Sequence, residues 1–288
     1  MAKKKKRKNQ TKKLQWVILG LGALLLIGLL LLLWLPEEEG AEISQAPKIP
    51  PNAYELDAFY KDGDLLCYSA GEYLAGIDVS AHQGVIAWQQ VKKAGVEFAV
   101  IRAGYRGSTE GRLYEDEQFH YNMKGAAEAD IPVGIYFYSQ ALDVQEAVEE
   151  AEYVCQLLAD YSVQLPVFFD WEYGGDGGRI DGIESVALTD CAVAFCEYVK
   201  AHGYAAGVYF NQTFGYHHLD LLRLQSYTLW LAEYNAAPTF RYHFDWLQYS
   251  DNGFVPGIEV AVDLDIILVE KEDVTSTNFV VVDELPTT

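Results

Sequence analysis

Eight short apolar runs separated by helical patterns constrain this chain more than any other feature. They read GIDVS (76–80), EFAVIRAG (97–104), PVGIYFYS (132–139), LPVFFDWE (165–172), AAGVYFN (205–211), LWLAEY (229–234), DWLQYS (245–250) and VAVDLDI (260–266). Each has strand length and is rich in β-branched and aromatic residues. Between them lie WQQVKKAG, EDEQFHYNMKGAAEA, the amphipathic VQEAVEEAEYVCQLLADY, and SVALTDCAVAFCEYVKAHG, with Ser185 as a candidate cap and Gly203 as a stop. Strands alternating with helices over about 190 residues imply a parallel sheet with helices outside. Eight strands favour a closed, TIM-like β/α barrel over an open doubly wound sheet. The chain has no GxGxxG or Walker loop, which argues against nucleotide binding.

Acids sit where such a barrel would use them. Asp170 and Glu172 are two apart, so on a strand they share a face while Trp171 takes the other. They end their run just before the Gly-rich YGGDGG, and in α/β barrels that end carries the active site. Asp78, Asp263 and Asp265 occupy comparable strand positions. Two carboxylates about 6 Å apart at an effective dielectric near 20 repel by roughly 3 kcal/mol. One should therefore hold a proton near neutral pH while the other stays ionised, as glycoside hydrolysis requires. The same pair could instead cap the next helix or bind Arg102 or Arg179. Tyr105, Tyr136, Tyr138, Tyr209, Trp230 and Tyr234 offer the flat apolar faces with polar tips that suit sugar rings.

The first 13 residues carry eight Lys/Arg and no acid, while the whole chain carries −21, leaving −29 for the rest. So acidic a body excludes nucleic acid as a partner. Residues 14–35 contain no charge and number 22, where about 20 suffice to cross a bilayer. The basic flank should stay cytoplasmic, with Trp16 and Trp34 at the two interfaces. The expected organisation is a cytoplasmic tail (1–13), a transmembrane signal-anchor helix (14–35), an extracellular linker (36–52), a short hairpin-like lead-in (53–75), the barrel domain (76–270) and a C-terminal tail (271–288). Four cysteines permit disulfides without arguing for a disulfide framework, and no Cys/His cluster suggests a metal or other cofactor.

Several ordered motifs then carry a resemblance. GIDVSAHQGVIAWQQVKKAGVEFAVIRAGY, AAEADIPVGIYFYSQA, LPVFFDWE, GVYFN, LWLAEYN and QYSDNGFVPGIEVAVDLD together resemble glycoside hydrolase family 25, the Chalaropsis-type lysozymes. The resemblance runs from about Gly76 to Leu268 and implies a flattened β/α barrel that cuts peptidoglycan between N-acetylmuramic acid and N-acetylglucosamine. It implies Glu172 as general acid/base, Asp170 as the group that orients the substrate's N-acetyl arm or stabilises developing positive charge, and Asp78 and Asp263 as the rest of an acidic rim. Gln248 joins the candidate substrate contacts. It lies in Trp246-Leu247-Gln248-Tyr249, where the family commonly shows Trp-Gln-Tyr. With the anchor, the implied partners are peptidoglycan strands and the membrane, and no protein partner is indicated. The alternative is an inactive wall-binding module that ties a membrane complex to peptidoglycan.

Overall fold

Side chains along a strand alternate between faces, so a strand that is apolar on both faces needs cover on both. The computed structural model, which describes residues 48–173, 178–180 and 183–269, meets that demand by closing the sheet on itself. A hairpin of β1 (Phe59–Asp62) and β2 (Leu65–Tyr68) turns at Gly63, whose φ of 64° suits glycine. The barrel follows: β3 (Glu72–Val79), β4 (Phe98–Arg106), β6 (Val133–Ser139), β7 (Val167–Trp171), β8 (Ala206–Asn211), β9 (Thr228–Ala232), β10 (Trp246–Gly253) and β11 (Val262–Val269). Neighbours pair in the order β3-β4-β6-β7-β8-β9-β10-β11, and β11 returns to β3. A short extra strand, β5 (Leu113–Glu115), lies antiparallel on the end of β4.

The last strand departs from the all-parallel expectation. β3, β4 and β6 to β10 pair in parallel, while β11 is antiparallel to both β10 and β3. A parallel return needs a crossover of a dozen or more residues, and only residues 254–261 join β10 to β11. β3 also begins at Glu72, four residues before Gly76, because Tyr73 and Leu74 pair with Leu268 and Ile267.

Helices cover the outside: α1 (Trp88–Lys93), α2 (Phe119–Glu128), α3 (Val144–Leu158), α4 (Ser185–Ala201), α5 (Gln212–His217) and α6 (Leu221–Leu224). In α3, Asp143 caps the N-terminus by accepting from the Glu146 amide at 3.0 Å. Its buried residues Ala147, Ala151, Val154 and Leu158 recur at helical spacing on one face. The last residues of the expected linker already belong to this body. The Asn52 amide donates to the Arg241 carbonyl and the His243 amide to the Pro50 carbonyl, both at 2.9 Å. The basic tail, the 14–35 span and residues 271–288 lie outside the described residues. Among the described residues no helix is long and apolar enough to cross a membrane.

Inside the barrel, Phe98, Phe168, Trp230 and Trp246 form an apolar plug, with ring centroids 5.0 Å apart for Phe98–Trp246, Phe168–Trp230 and Phe168–Trp246. Glycines make room for it. A Cβ on Gly207 would lie 2.3 Å from a carbon of the Phe168 ring and 2.7 Å from the Thr228 carbonyl oxygen. Gly207→Ala should therefore destabilise the fold by about 1–3 kcal/mol through overpacking. A lower urea midpoint with an unchanged m-value would show this, and an unshifted midpoint would refute it.

Candidate active site

Above the plug, the inward positions become polar. Asp78 (β3), Arg102 (β4), Tyr136 and Tyr138 (β6), Asp170 (β7), Glu172 just past β7 and Tyr209 (β8) line a cavity of about 220 Å³, with Trp230, Tyr234, Gln248 and Asp263 completing the wall. It opens at the C-terminal ends of the parallel strands. Asp263 reaches the same rim from the start of β11, because that strand runs backwards and pairs Asp263 opposite Asp78. A larger cavity of about 690 Å³, lined in part by Pro51, Tyr227, Thr228 and His243, lies at the opposite end of the barrel. Size does not make it the site: barrel chemistry belongs to the C-terminal face, where the acids are.

Hydrogen bonds fix the wall. Gln248 Nε2 donates to Asp78 Oδ2 at 2.6 Å, while Gln248 Oε1 accepts from Tyr209 OH at 2.9 Å and Tyr234 OH at 2.8 Å. The amide is thus spent on holding Asp78 and two tyrosines. Trp230 Nε1 donates to Asp265 Oδ1 at 2.9 Å. Asp170 Oδ1 is buried and has no hydrogen-bond partner among the described residues, an acceptor left open in the cavity wall.

Burial dominates the electrostatics. It pushes Asp78 well above the carboxylate range, and Asp265 and Asp263 push it further. Asp170 is raised well above its ordinary value by burial and then by Glu172, while Arg102 pulls it down. Burial raises Glu172, and the nearby Tyr209 hydroxyl works against the rise. Asp263 is pushed up to about 6, by burial first and then by Asp251. Such closely set acids titrate as groups rather than singly, so the Asp170–Glu172 pair keeps a proton above the ordinary carboxylate range.

The sequence-derived candidates separate in the structure. Asp78, Asp170, Glu172, Asp263, Tyr136, Tyr138, Tyr209, Tyr234 and Gln248 meet in the cavity. Trp230, expected to offer a sugar face, is 1% exposed and forms the floor, because its ring is packed into the plug and its Nε1 is tied to Asp265. Tyr105 lies outside the cavity and stacks on Tyr114 at 5.2 Å in a neighbouring basin. β10 carries a register shift between Gln248 and Ser250, and both Trp246 and Gln248 face inward.

Two contributors were not among the candidates. Arg102 was legible, as a charge in phase with Phe98 and Val100 on the inward face of an apolar strand. Gln140 was not, since nothing local marks its Nε2, which donates to the Glu172 carbonyl at 3.0 Å. Behind it, Ser139 Oγ donates to Glu150 Oε2 at 2.5 Å and Arg106 Nε to Glu150 Oε1 at 2.7 Å.

The family model "Glycosyl hydrolases family 25" matches residues 77–258. The autolytic lysozyme of Clostridium acetobutylicum is 31% identical over 193 residues, 67% of this chain and 55% of that protein. Lysozyme M1 of Streptomyces globisporus is 30% identical over 201 residues, 65% of each chain. This chain therefore spans less than two thirds of the length of either relative. Among solved structures, a family 25 glycosyl hydrolase from Bacillus anthracis superposes with a TM-score of 0.60 at 21% identity, covering 73% of this chain and 95% of that one. The Clostridium perfringens spore cortex lytic enzyme SleM gives 0.61 at 20% identity, with 70% and 69% covered. At these identities the structures establish the shared barrel fold.

Proposed function

The chain belongs to glycosyl hydrolases family 25, and from that premise we propose that it is a lysozyme-type hydrolase of peptidoglycan, cutting the β-1,4 bond between N-acetylmuramic acid and N-acetylglucosamine. The observation that carries this reading is the Asp170–Glu172 pair, one buried and the other half-buried at the C-terminal end of β7, with both carboxyls raised. In the proposed reaction Glu172, held by Gln140 through its carbonyl, gives its proton to the glycosidic oxygen as the bond breaks. Asp170 offers its open Oδ1 to the N–H of the substrate's acetamido group and, once ionised, stabilises the positive charge that develops on the sugar. Water then adds to the anomeric carbon, with its proton returning to Glu172. Asp78 and Asp263 form the opposite wall. Tyr136 and Tyr138, raised above the usual phenol range, serve as donors, while Tyr209 and Tyr234, whose hydroxyls are given to Gln248, offer ring faces.

Incubating the full chain in detergent with purified Gram-positive peptidoglycan, followed by borohydride reduction and mass spectrometry, tests this reading. Reduced muramic acid ends support it. Reduced glucosamine ends would move the cut to the other linkage, and wall binding without cleavage would favour the inactive anchoring module.

The proposal extends to place. The 14–35 span, with its basic flank inside, would hold the domain on the outer face of the membrane, where it would remodel nearby wall during growth, division or assembly of a machine. A mature form lacking residues 1–40 in culture medium would sink this part.

The pH profile follows from the same groups. Glu172 must be protonated to act, and its raised pKa extends the active form above the ordinary glutamate range, so activity is lost as pH rises through that value. On the acid side, Asp263 loses its charge as pH falls through about 6. A plot of kcat/KM against pH should show a step near 6 that Asp263→Asn removes, and persistence of the step in that variant would reject the assignment.

A further inference from the structure

We infer that Arg102 is the receptor for a carboxylate pendant on the muramic acid residue, either the lactyl carboxylate of a stem-free strand or a carboxylate of the stem peptide. This rests on the hydrolase reading above and adds to it a determinant of specificity.

Arg102 is the sole Lys or Arg among the described residues that line the cavity, against four carboxyls. Its guanidinium is fixed along one edge. Nε donates to Asp116 Oδ2 at 2.7 Å, and Asp116 is itself locked by the Ala81 amide on Oδ2 and the Gln118 amide on Oδ1, each at 2.9 Å. The carbon of the guanidinium sits 5.5 Å from the centroid of the Tyr105 ring, close enough for a cation–π contact. With Nε taken, the two terminal nitrogens have no hydrogen-bond partner among the described residues, and the side chain keeps 13% exposure. A rigid guanidinium with its two Nη groups open is the fork that binds a planar carboxylate by two parallel hydrogen bonds.

Position makes the fork useful. Arg102 lines both the acidic cavity and the adjoining basin of Ala81, His82, Tyr105, Asp116, Glu117 and Tyr138, about 690 Å³ in volume. Asp78, Asp170, Glu172 and Asp263 offer a substrate carboxylate no countercharge, and any of them that is ionised repels it, so among the described lining residues Arg102 alone gives it a cationic partner. On the other flank, the described lining of the basin with Tyr173, Asn211, Gln212 and Asn235 contains no Lys or Arg and one further acid, Glu233. That flank suits the uncharged N-acetylglucosamine. The charge asymmetry therefore sets the direction in which a strand lies across the barrel mouth.

The test varies the substrate first, so it does not depend on any variant folding. The full chain is assayed on four glycans: a stem-free strand with free lactyl carboxylates, the same strand amidated, a stem-bearing strand, and that strand with its stem carboxylates amidated. A free-acid preference of about tenfold or more in kcat/KM within either pair supports the receptor, the size expected for a charge-assisted bidentate contact. The pair that shows it identifies the source. In Arg102→Gln that ratio should collapse towards one whatever happens to the absolute rate, and Arg102→Lys, which keeps the charge but loses the fork, should fall between. Ratios near one in the parent, or a ratio that survives in Arg102→Gln, would overturn the proposal. A parent that cuts none of the four overturns the hydrolase reading instead. The receptor then stands if the parent still retains the free-acid strands more tightly than the amidated ones in a pull-down, and falls if it does not.

Discussion

Glu172→Gln should lower kcat on peptidoglycan by roughly 10²–10⁴-fold while leaving the protein folded and as stable as the parent or more so. The substitution keeps the shape of the side chain. The Gln140 bond is to the main-chain carbonyl and is untouched. What disappears is the transferable proton. Burial raises the carboxyl of Glu172, so the folded state holds an acid in an environment that disfavours its charge, and a neutral amide removes that tension. Release of reducing ends measures the first effect and a urea midpoint the second. Activity within tenfold of the parent would remove Glu172 from the role of acid, and a sharply lowered midpoint would show that its function is structural.

Arg106→Met should be the most damaging single change to stability. Glu150 is fully buried, and burial pushes it up to about 7 against the opposing pull of the Ser139 hydroxyl and the Arg106 guanidinium. Arg106 also donates to the Gly111 and Glu146 carbonyls, each at 2.8 Å, so its loss strands acceptors as well as a charge. Breaking a buried pair by removing one partner costs about 3–5 kcal/mol, a large share of a typical 5–15 kcal/mol. The sign of the pH dependence follows. Without Arg106 the folded-state pKa of Glu150 rises further above its unfolded value, so the variant escapes part of the penalty by protonating Glu150 at pH 5. It loses that relief as pH rises to 8. Urea midpoints at the two pH values measure this, and Arg106→Met with Glu150→Met should recover much of the loss. A penalty independent of pH would mean that Glu150 is not the stranded group.

What could be read from the sequence follows from what is local. The spacing of Asp170 and Glu172 fixes their shared face by the pleat alone, and the eight runs announce the barrel because each is a strand with two covered faces. Arg102 was equally local, as a charge in phase with Phe98 and Val100. Other features depend on partners far away in the chain. Gln248 holds Asp78 across 170 residues of sequence, and no neighbour of either residue signals it. Trp230 reads like any aromatic at a strand end until the plug around it shows why it is floor. The reversed β11 follows from a connection too short to cross over, which becomes visible once β10 is known to end at Gly253.

That reversed strand has a further consequence, for the order of events during synthesis. β3 and β11 are the first and last staves of the barrel, and they meet edge to edge with Asp78 opposite Asp263. β11 is the last stave of the barrel to be synthesised, so the acidic rim stays incomplete until it has emerged. Until the seam shuts, β3 has one strand edge open and the cavity lacks a wall. Such a long-range pairing is slow to find. A site built this way cannot be armed piecemeal: the topology itself withholds it until translation of the barrel is over and the ring is closed.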